Sequence, residues 1–279
     1  MLFFILTISF SSAVVMNDTA MLVFIPLVVA TSKIAGVNTS RAVALSAIAA
    51  NVGSALTPIG NPQNIIIWYS YDLGFLEFIR AMLPFVFLWL LVLFVFTLTI
   101  KNQELSIERA PVITLRKSFL VVSLVSLVIG IVLAETGRAF FAFLLVMLAF
   151  LMMGREVLLS FDWVLVLTFA FIFVDFNKLA LLLKSAGLMF PARGVELFIT
   201  SAGLSQLLSN VPATVFLLAG RPDWLPLALG VNIGGNGIIV SSLANLIAVR
   251  IARVGIKDFH RYSVPYFLTV LLLSALLIL

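Results

Sequence analysis

Four polar interruptions of otherwise apolar sequence hold the residues that could do chemistry in this chain. Residues 16–20 read Met-Asn-Asp-Thr-Ala, and residues 209–214 read Ser-Asn-Val-Pro-Ala-Thr. Residues 51–64 read Asn-Val-Gly-Ser-Ala-Leu-Thr-Pro-Ile-Gly-Asn-Pro-Gln-Asn, and residues 232–245 read Asn-Ile-Gly-Gly-Asn-Gly-Ile-Ile-Val-Ser-Ser-Leu-Ala-Asn. Amide, hydroxyl and carboxylate groups bind small solutes and cations. The chemistry indicated is therefore reversible binding.

The solvent around these interruptions must be lipid. Of 279 residues, 63% are hydrophobic and 10% are charged, and the mean hydropathy is +1.23. A soluble domain usually carries about 25% charged residues. The net charge of +5 sits in short loops between apolar runs, so positive-inside topology explains it and no nucleic-acid partner is implied. We expect a multi-pass protein of the plasma or inner membrane, whose partner is the bilayer.

Uncharged runs predict the spans, and a helix needs roughly 20 residues to cross the hydrocarbon core. Backbone groups in lipid are satisfied within helices, so the expected fold is an all-α polytopic membrane protein. The runs cover residues 1–17, 42–71, 81–100, 118–134, 139–154, 197–220, 224–249 and 262–279.

The charged stretch 101–117 is a predicted cytoplasmic linker between two repeats. Segments 51–64 and 232–245 align without a gap, pairing Asn51 with Asn232 and Asn64 with Asn245. Paired interrupted segments of this kind are typical of inverted-repeat transporters. The fold prediction is an inverted repeat with two re-entrant hairpins and two discontinuous helices.

Each repeat divides into predicted segments. Repeat 1–100 holds a hairpin at 1–33, a broken helix at 40–71 and a span at 81–100. Repeat 118–279 holds spans at 118–134 and 139–154, a short segment at 160–177, a hairpin at 196–221, a broken helix at 224–249 and a span at 262–279. The first repeat has no counterpart of the leading spans. We expect either a truncated chain or a partner that supplies scaffold helices; a homodimer is the other expected assembly.

Local chemistry explains the interruptions. The two arms of 1–33 are each too short to cross comfortably, so a hairpin with its tip at mid-depth fits better, with Asn17 capping the returning helix. Asn210 would do the same in the second hairpin. Pro58, Gly60 and Pro62 prevent a continuous helix. Such backbone is tolerated at membrane depth only beside protein or a water-filled cavity, so the four interruptions predict a shared polar pocket.

The order of these motifs resembles the ion-transporter superfamily of citrate transporters, divalent-anion:sodium symporters and arsenite-permease-like anion permeases. Similarity covers about residues 10–255, and Thr-Pro-Ile-Gly-Asn-Pro-Gln-Asn at 57–64 is its most specific part. The resemblance implies a broken-helix site, cytoplasmic entry of the first hairpin and an elevator-like motion. Where sodium:dicarboxylate members carry Ser-Asn-Thr at each tip, this chain keeps only the asparagines in both tips.

Two sets of site residues are predicted. The substrate-binding set is Asn17, Thr19, Gly60, Asn61, Pro62, Asn64, Ser209, Asn210, Thr214, Asn236, Ser241 and Ser242. The coupling-ion set is Asp18, Asn17, Thr57, Asn61, Asn210 and Asp175. Ionisable groups at mid-membrane are usually functional, so Asp18 indicates a cation or proton ligand; the alternative is a second capping group. Asp175 is either buried near the pocket or marks a helix end.

The favoured function is secondary transport of a small anion coupled to Na⁺ or H⁺. The alternative is a Na⁺/H⁺ antiporter centred on Asp18 or an arsenite efflux permease. An enzyme is not expected, because the chain has one histidine, no cysteine and no H-E-x-x-H motif. A passive channel would need a continuous pore, whereas capped hairpins favour occlusion. No cofactor or structural metal is expected beyond Na⁺ as coupling ion.

Overall fold

The computed structural model describes residues 1–98, 117–187 and 190–279. Their secondary structure is helical, which confirms the all-α prediction. The predicted linker 101–117 lies outside the described residues except for its last member, which begins a helix. The helices are α1 Leu2–Val15, α2 Asn17–Ile34, α3 Thr39–Ser54, α4 Pro62–Ser70, α5 Phe75–Leu98, α6 Lys117–Glu135, α7 Ala139–Met153, α8 Arg155–Leu159, α9 Trp163–Ser185, α10 Gly194–Leu208, α11 Asn210–Leu218, α12 Trp224–Gly234, α13 Leu243–Ala252 and α14 Ile256–Ile278.

Five of the described helices are long and apolar enough to cross a membrane, judged by length and composition. They are α2, α5, α6, α9 over Val166–Leu183, and α14. α1, α7, α10, α12 and α13 are apolar but shorter. This pattern confirms a polytopic helical membrane protein.

Several helices extend beyond the predicted spans. α5 begins at Phe75 and α14 at Ile256, six residues earlier than predicted in each case, because a helix can continue past the apolar run with its charged residues exposed. α9 has 23 residues, so the prediction of a short segment at 160–177 was wrong. Its polar side chains Asp175, Asn177 and Lys178 are exposed and do not interrupt it.

The centre of the bundle is α3, in which every residue from 42 to 54 is buried. Its small side chains let other helices approach closely. A Cβ atom added at Gly53 would lie 2.0 Å from the carbonyl oxygen of Ser9 in α1. α12 packs on α10 in a similar way, since a Cβ at Gly230 would lie 2.4 Å from the carbonyl oxygen of Phe198. Glycine is therefore required at both contacts.

The two halves interlock through their hairpin and broken-helix segments. α1 and α2 pack against α3, while α10 and α11 pack against α12. Across the halves, α2 contacts α13 and α11 contacts α4. α6 and α7 pack on each other and present mostly exposed apolar side chains, as helices in contact with lipid do. The polar interruptions are thereby gathered in the middle of the bundle.

Candidate functional site

The two hairpin tips turn at single residues with the same unusual backbone conformation. Met16 has φ 66° and ψ 143°, and Ser209 has φ 74° and ψ 156°. These values lie near a region that favours glycine and costs other residues about 1–3 kcal/mol. Asn17 and Asn210 follow as the first helical residues. The side-chain oxygen of each accepts the N–H of the next residue, at 3.0 Å and 2.9 Å, so each caps its helix from inside the first turn.

The first break, residues 55–61, joins α3 to α4. Asn61 caps α4, because its Oδ1 accepts the N–H of Asn64 at 2.9 Å. Pro62 occupies the first helical position, where its missing N–H costs little. A Cβ at Gly60 would lie 2.1 Å from the carbonyl oxygen of Ser54, so this turn requires glycine. The Gly60 carbonyl accepts the N–H of Asn17 at 3.0 Å, which joins the first tip to the first break.

The second break, residues 235–242, joins α12 to α13 through a 3₁₀ turn at Ile239–Ser241. The N–H of Ile239 donates to Nε2 of His260 in α14 at 2.9 Å. The corresponding residue of the first break is Pro58, which has no N–H to satisfy. Ser209 Oγ lies 3.3 Å from the Ser241 carbonyl oxygen, so the second tip also contacts its own break.

Matched hydrogen bonds connect the two breaks. Asn51 Nδ2 donates to Asn245 Oδ1 at 3.0 Å, and Asn232 Nδ2 donates to Asn64 Oδ1 at 2.7 Å. In the gapless alignment of the two segments, Asn51 corresponds to Asn232 and Asn64 to Asn245. Each bond is therefore the counterpart of the other. We call these four residues the asparagine network.

A second matched pair extends the asparagine network to Asn61 and Ser242, which immediately precede α4 and α13. Asn61 Nδ2 donates to Asn232 Oδ1 at 2.9 Å, and Ser242 Oγ donates to Asn51 Oδ1 at 3.1 Å. Asn61 and Ser242 also correspond in the alignment. All of these side chains are buried. Buried polar groups are stable when their hydrogen bonds are made. Here the side chains of each half supply hydrogen-bond partners for the buried side chains of the other half.

A cavity of about 210 Å³ lies beside this network. Its size suits a small solute, since pockets for drug-sized ligands are roughly 300–1,000 Å³. Both tips, the start of α4, the second break and one face of α9 contribute. The lining residues are Asn17, Asp18, Pro62, Gln63, Thr168, Phe169, Ile172, Ser209, Asn210, Val211, Pro212, Val240, Ser242, Leu243 and Leu246. Among these described lining residues Asp18 is the one charged group, and it is half-buried.

The structure brings six of the fifteen predicted site residues to the lining of this cavity and places others just behind it. Those on the lining are Asn17, Asp18, Pro62, Ser209, Asn210 and Ser242. Gly60, Asn61, Asn64 and Asn236 are in or next to the network instead. Asn236 Nδ2 donates to the Asn232 carbonyl at 3.2 Å, and its Oδ1 is buried without a partner among the described residues.

Three predicted hydroxyl ligands are not on the cavity lining. Thr57, Thr214 and Ser241 each donate their hydroxyl to a backbone carbonyl. The Thr57 hydroxyl bonds the Ala13 carbonyl near the end of α1, whereas Thr214 and Ser241 bond carbonyls three or four residues earlier in their own turns. The structure therefore places these residues as supports of the tips and breaks.

Thr19 and Asp175 are also not brought to the cavity. Thr19 lies two positions after Asn17, roughly 200° around α2, and its side chain is exposed. Asp175 lies on α9 beyond Ile172, outside the cavity lining, and is exposed. The alternative in which Asp175 marks a helix end was wrong as well, because α9 continues to Ser185.

The sequence reading missed Gln63 and the contribution of α9. Gln63 could have been predicted as a site residue, because it stands between Pro62 and Asn64 in the most specific motif. Thr168, Phe169 and Ile172 lie in a plain apolar stretch that carries no local sign of a site. Val240, Leu243 and Leu246 complete the apolar part of the lining.

An all-helical membrane bundle in which two capped tips and two broken helices meet beside a cavity is the architecture of a polytopic membrane transporter. A family model described as Citrate transporter matches residues 1–222. The chain belongs to this family.

Relatives over the length of the chain agree with this class. The chain is 34% identical to the inner membrane protein YbiR of Escherichia coli over 285 residues, covering 99% of this chain and 76% of that protein. It is 34% identical to an uncharacterized transporter of Methanocaldococcus jannaschii over 255 residues, covering 89% and 69%. A shorter match, 34% over 74 residues, is to a silicon efflux transporter of Oryza sativa, covering 26% of this chain and 15% of that protein.

Proposed function

We propose that this protein is a secondary active transporter that moves a small anion across the cell membrane, coupled to Na⁺ or H⁺. The observation that carries the proposal is the convergence of both tips and the second break on one cavity with a carboxylate in its lining. Helix N-termini at the tips favour anions, while carboxylate and amide oxygens favour cations. The site thus offers ligands for both species.

Asp18 explains why the two species would move together. Two unit charges 4 Å apart repel by about 4 kcal/mol at an effective dielectric constant of 20. This is roughly a thousandfold in affinity, so an anion binds poorly beside a bare carboxylate. A bound Na⁺ or proton removes the repulsion. The anion would therefore bind only when the cation is already present, which links the binding of the two species.

The asparagine network supports an elevator-like motion for this transporter. It ties α3, α4, α12 and α13 together through buried side chains, and the tips bond to the breaks. A block joined in this way would move as one body and carry the cavity across the membrane. The remaining helices would serve as its scaffold.

A second candidate function follows from the same carboxylate. The described lining residues include no positively charged side chain beside Asp18. The cavity therefore also suits a neutral or cationic solute. The alternatives are therefore efflux of an undissociated oxyacid such as arsenite, or Na⁺/H⁺ antiport. The similarity of 74 residues to a silicon efflux transporter favours the oxyacid among these two.

Reconstitution into proteoliposomes tests the proposal. Uptake of orthosilicic acid, arsenite, phosphate, sulfate and citrate is measured with an imposed Na⁺ or H⁺ gradient. We expect accumulation of at least one solute that collapses with the gradient, and Asp18→Asn should abolish gradient dependence. Asp72→Asn is the control, since Asp72 is exposed and off the cavity lining. Na⁺-driven proton flux without solute uptake would establish the antiporter, and no flux of any kind would refute transport.

A further inference from the structure

In a side-chain amide near the cavity, the oxygen can be told from the nitrogen by the backbone group that it bonds. A backbone N–H always donates and a backbone carbonyl always accepts. Asn61 Oδ1 accepts the N–H of Asn64 at 2.9 Å, so its Nδ2 must be the atom that faces Asn232. Asn232 Nδ2 donates to the Ala228 carbonyl at 2.8 Å. Asn232 Oδ1 is therefore an acceptor and cannot be exchanged with the nitrogen.

This chain of bonds determines how Gln63 is oriented. Nε2 of Gln63 lies 3.3 Å from Asn232 Oδ1. Because Asn232 Oδ1 is an acceptor, the Gln63 atom that faces it must be the donor nitrogen. Its Oε1 must then be the other end of the amide. That oxygen is buried and has no hydrogen-bond partner among the described residues. Gln63 is 2% exposed and is one of the residues that line the cavity, so the unmatched acceptor belongs to a lining residue.

Asn210 presents the complementary group. Its Oδ1 accepts the N–H of Val211 at 2.9 Å, which leaves Nδ2 as a donor, and Nδ2 makes no hydrogen bond with the described residues. In the first tip the matching Nδ2 of Asn17 donates to Asn51 Oδ1 at 3.1 Å. The equivalent acceptor in the other half, Asn232 Oδ1, is already occupied by Asn61 and Gln63.

This difference in hydrogen bonding between the two halves arises at one pair of corresponding positions. The residue that corresponds to Gln63 is Ala244, which has no amide to offer. Gln63 takes the acceptor that symmetry would give to Asn210, and one acceptor and one donor are left over on two residues that line the same cavity. The unpaired Gln63 Oε1 and Asn210 Nδ2 therefore result from the substitution of alanine for glutamine between the two repeats.

We propose that Gln63 determines specificity by requiring a hydroxyl group on the cargo, with Gln63 Oε1 accepting its hydrogen and Asn210 Nδ2 donating to its oxygen. This inference rests on the proposed transport function and narrows its substrate class. A hydroxyl is the group that can both donate to an amide oxygen and accept from an amide N–H. A fully deprotonated oxyanion offers only acceptors, so Gln63 stays unpaired and its oxygen repels the cargo. Sites that hydrogen-bond a hydroxyl reject analogues that lack it.

Phosphate and sulfate are the matched probes, because they share size and shape while phosphate keeps a hydroxyl near neutral pH. Orthosilicic acid is a third probe with hydroxyls only. Competition with uptake in proteoliposomes should show phosphate and orthosilicic acid bound at least about tenfold more tightly than sulfate. Gln63→Met should reduce this preference to about twofold or less. Gln63→Lys, which replaces the acceptor with donors, should favour sulfate.

Thr168→Val is the matched control. Thr168 lines the cavity, but its hydroxyl already donates to the Val164 carbonyl at 2.8 Å, so the preference ratio should not change. Equal binding of sulfate and phosphate by the wild-type protein, or an unchanged ratio in both Gln63 variants, would overturn the role of Gln63. Uptake of solutes without hydroxyls in preference to solutes that carry one would also overturn it while leaving transport intact. Absence of all solute flux would instead refute the proposed function.

Discussion

Asn51 and Asn245 share a buried hydrogen bond at 3.0 Å although they belong to opposite halves of the chain. Asn51 also donates to the Gly235 carbonyl at 3.0 Å and accepts from Asn17 and Ser242. It therefore joins the first tip to the second break and to α13.

Removing the Asn51 side chain should destabilise the protein strongly. Asn51→Ala leaves several buried groups unpaired, each costing about 1–3 kcal/mol, and we expect a loss of about 3–5 kcal/mol. Thermal unfolding in detergent, followed by tryptophan fluorescence, measures it. The control Asn177→Ala changes an exposed asparagine of α9 and should stay within about 0.5 kcal/mol. Equal melting temperatures for the two variants would contradict the network.

Gly60 should tolerate no larger residue. A Cβ there would lie 2.1 Å from the Ser54 carbonyl oxygen, and backbone cannot move aside cheaply, so Gly60→Ala should lower the melting temperature and reduce uptake. Gly130→Ala is the matched control in α6, where a Cβ would meet no described atom within 4 Å. Alanine is the better helix former by up to about 1 kcal/mol. A Gly60→Ala variant as stable as Gly130→Ala would show that the first break is looser than described.

Glycine at the first tip should stabilise it. Met16 has a positive φ of 66°, which glycine adopts without the cost borne by a side chain. We expect Met16→Gly to gain about 1 kcal/mol in the free energy of unfolding. Met16→Ala keeps the Cβ and should show no such gain. If both variants melt alike, the backbone conformation at the tip carries no appreciable strain.

His260 should matter as a hydrogen-bond acceptor. His260→Ala leaves the Ile239 N–H of the second break without its partner, at an expected cost of about 1–2 kcal/mol. His260→Gln retains an acceptor of similar reach and should recover most of the loss. Thermal unfolding of the two variants side by side provides the comparison. A glutamine variant as unstable as the alanine variant would assign the histidine a packing role instead.

Much of this architecture could be predicted from composition and helix-breaking residues. Membrane residence follows from the shortage of charge, and the helical fold follows from the demands of lipid on the backbone. Asn17, Asn61 and Asn210 stand where the helices begin or are capped, because proline, glycine and asparagine act locally. The inverted orientation of the halves stays a prediction that the matched hydrogen bonds support.

The parts that could not be predicted depend on contacts between distant segments. The orientation of Gln63 is set by Asn232, 169 positions away in sequence, and no local pattern reports it. Thr168 and its neighbours reach the cavity because α9 packs on α11. Thr19 was assigned to the site from its neighbours in sequence, whereas the helical rotation turns it outward. Residue type identified the candidates, and tertiary contacts decided among them.

Asn51 and Asn64 each form a hydrogen bond with an asparagine of the second half, and this has a consequence for biosynthesis. Synthesis of the first half ends well before Asn232 and Asn245 emerge from the ribosome, so both amides enter the bilayer without their native acceptors and donors. The inserted first half therefore remains incompletely folded, and accessible to membrane quality control, until α12 and α13 are inserted. We expect maturation to be limited by translation of the C-terminal half, and early stop codons to yield products that are degraded rather than partly folded.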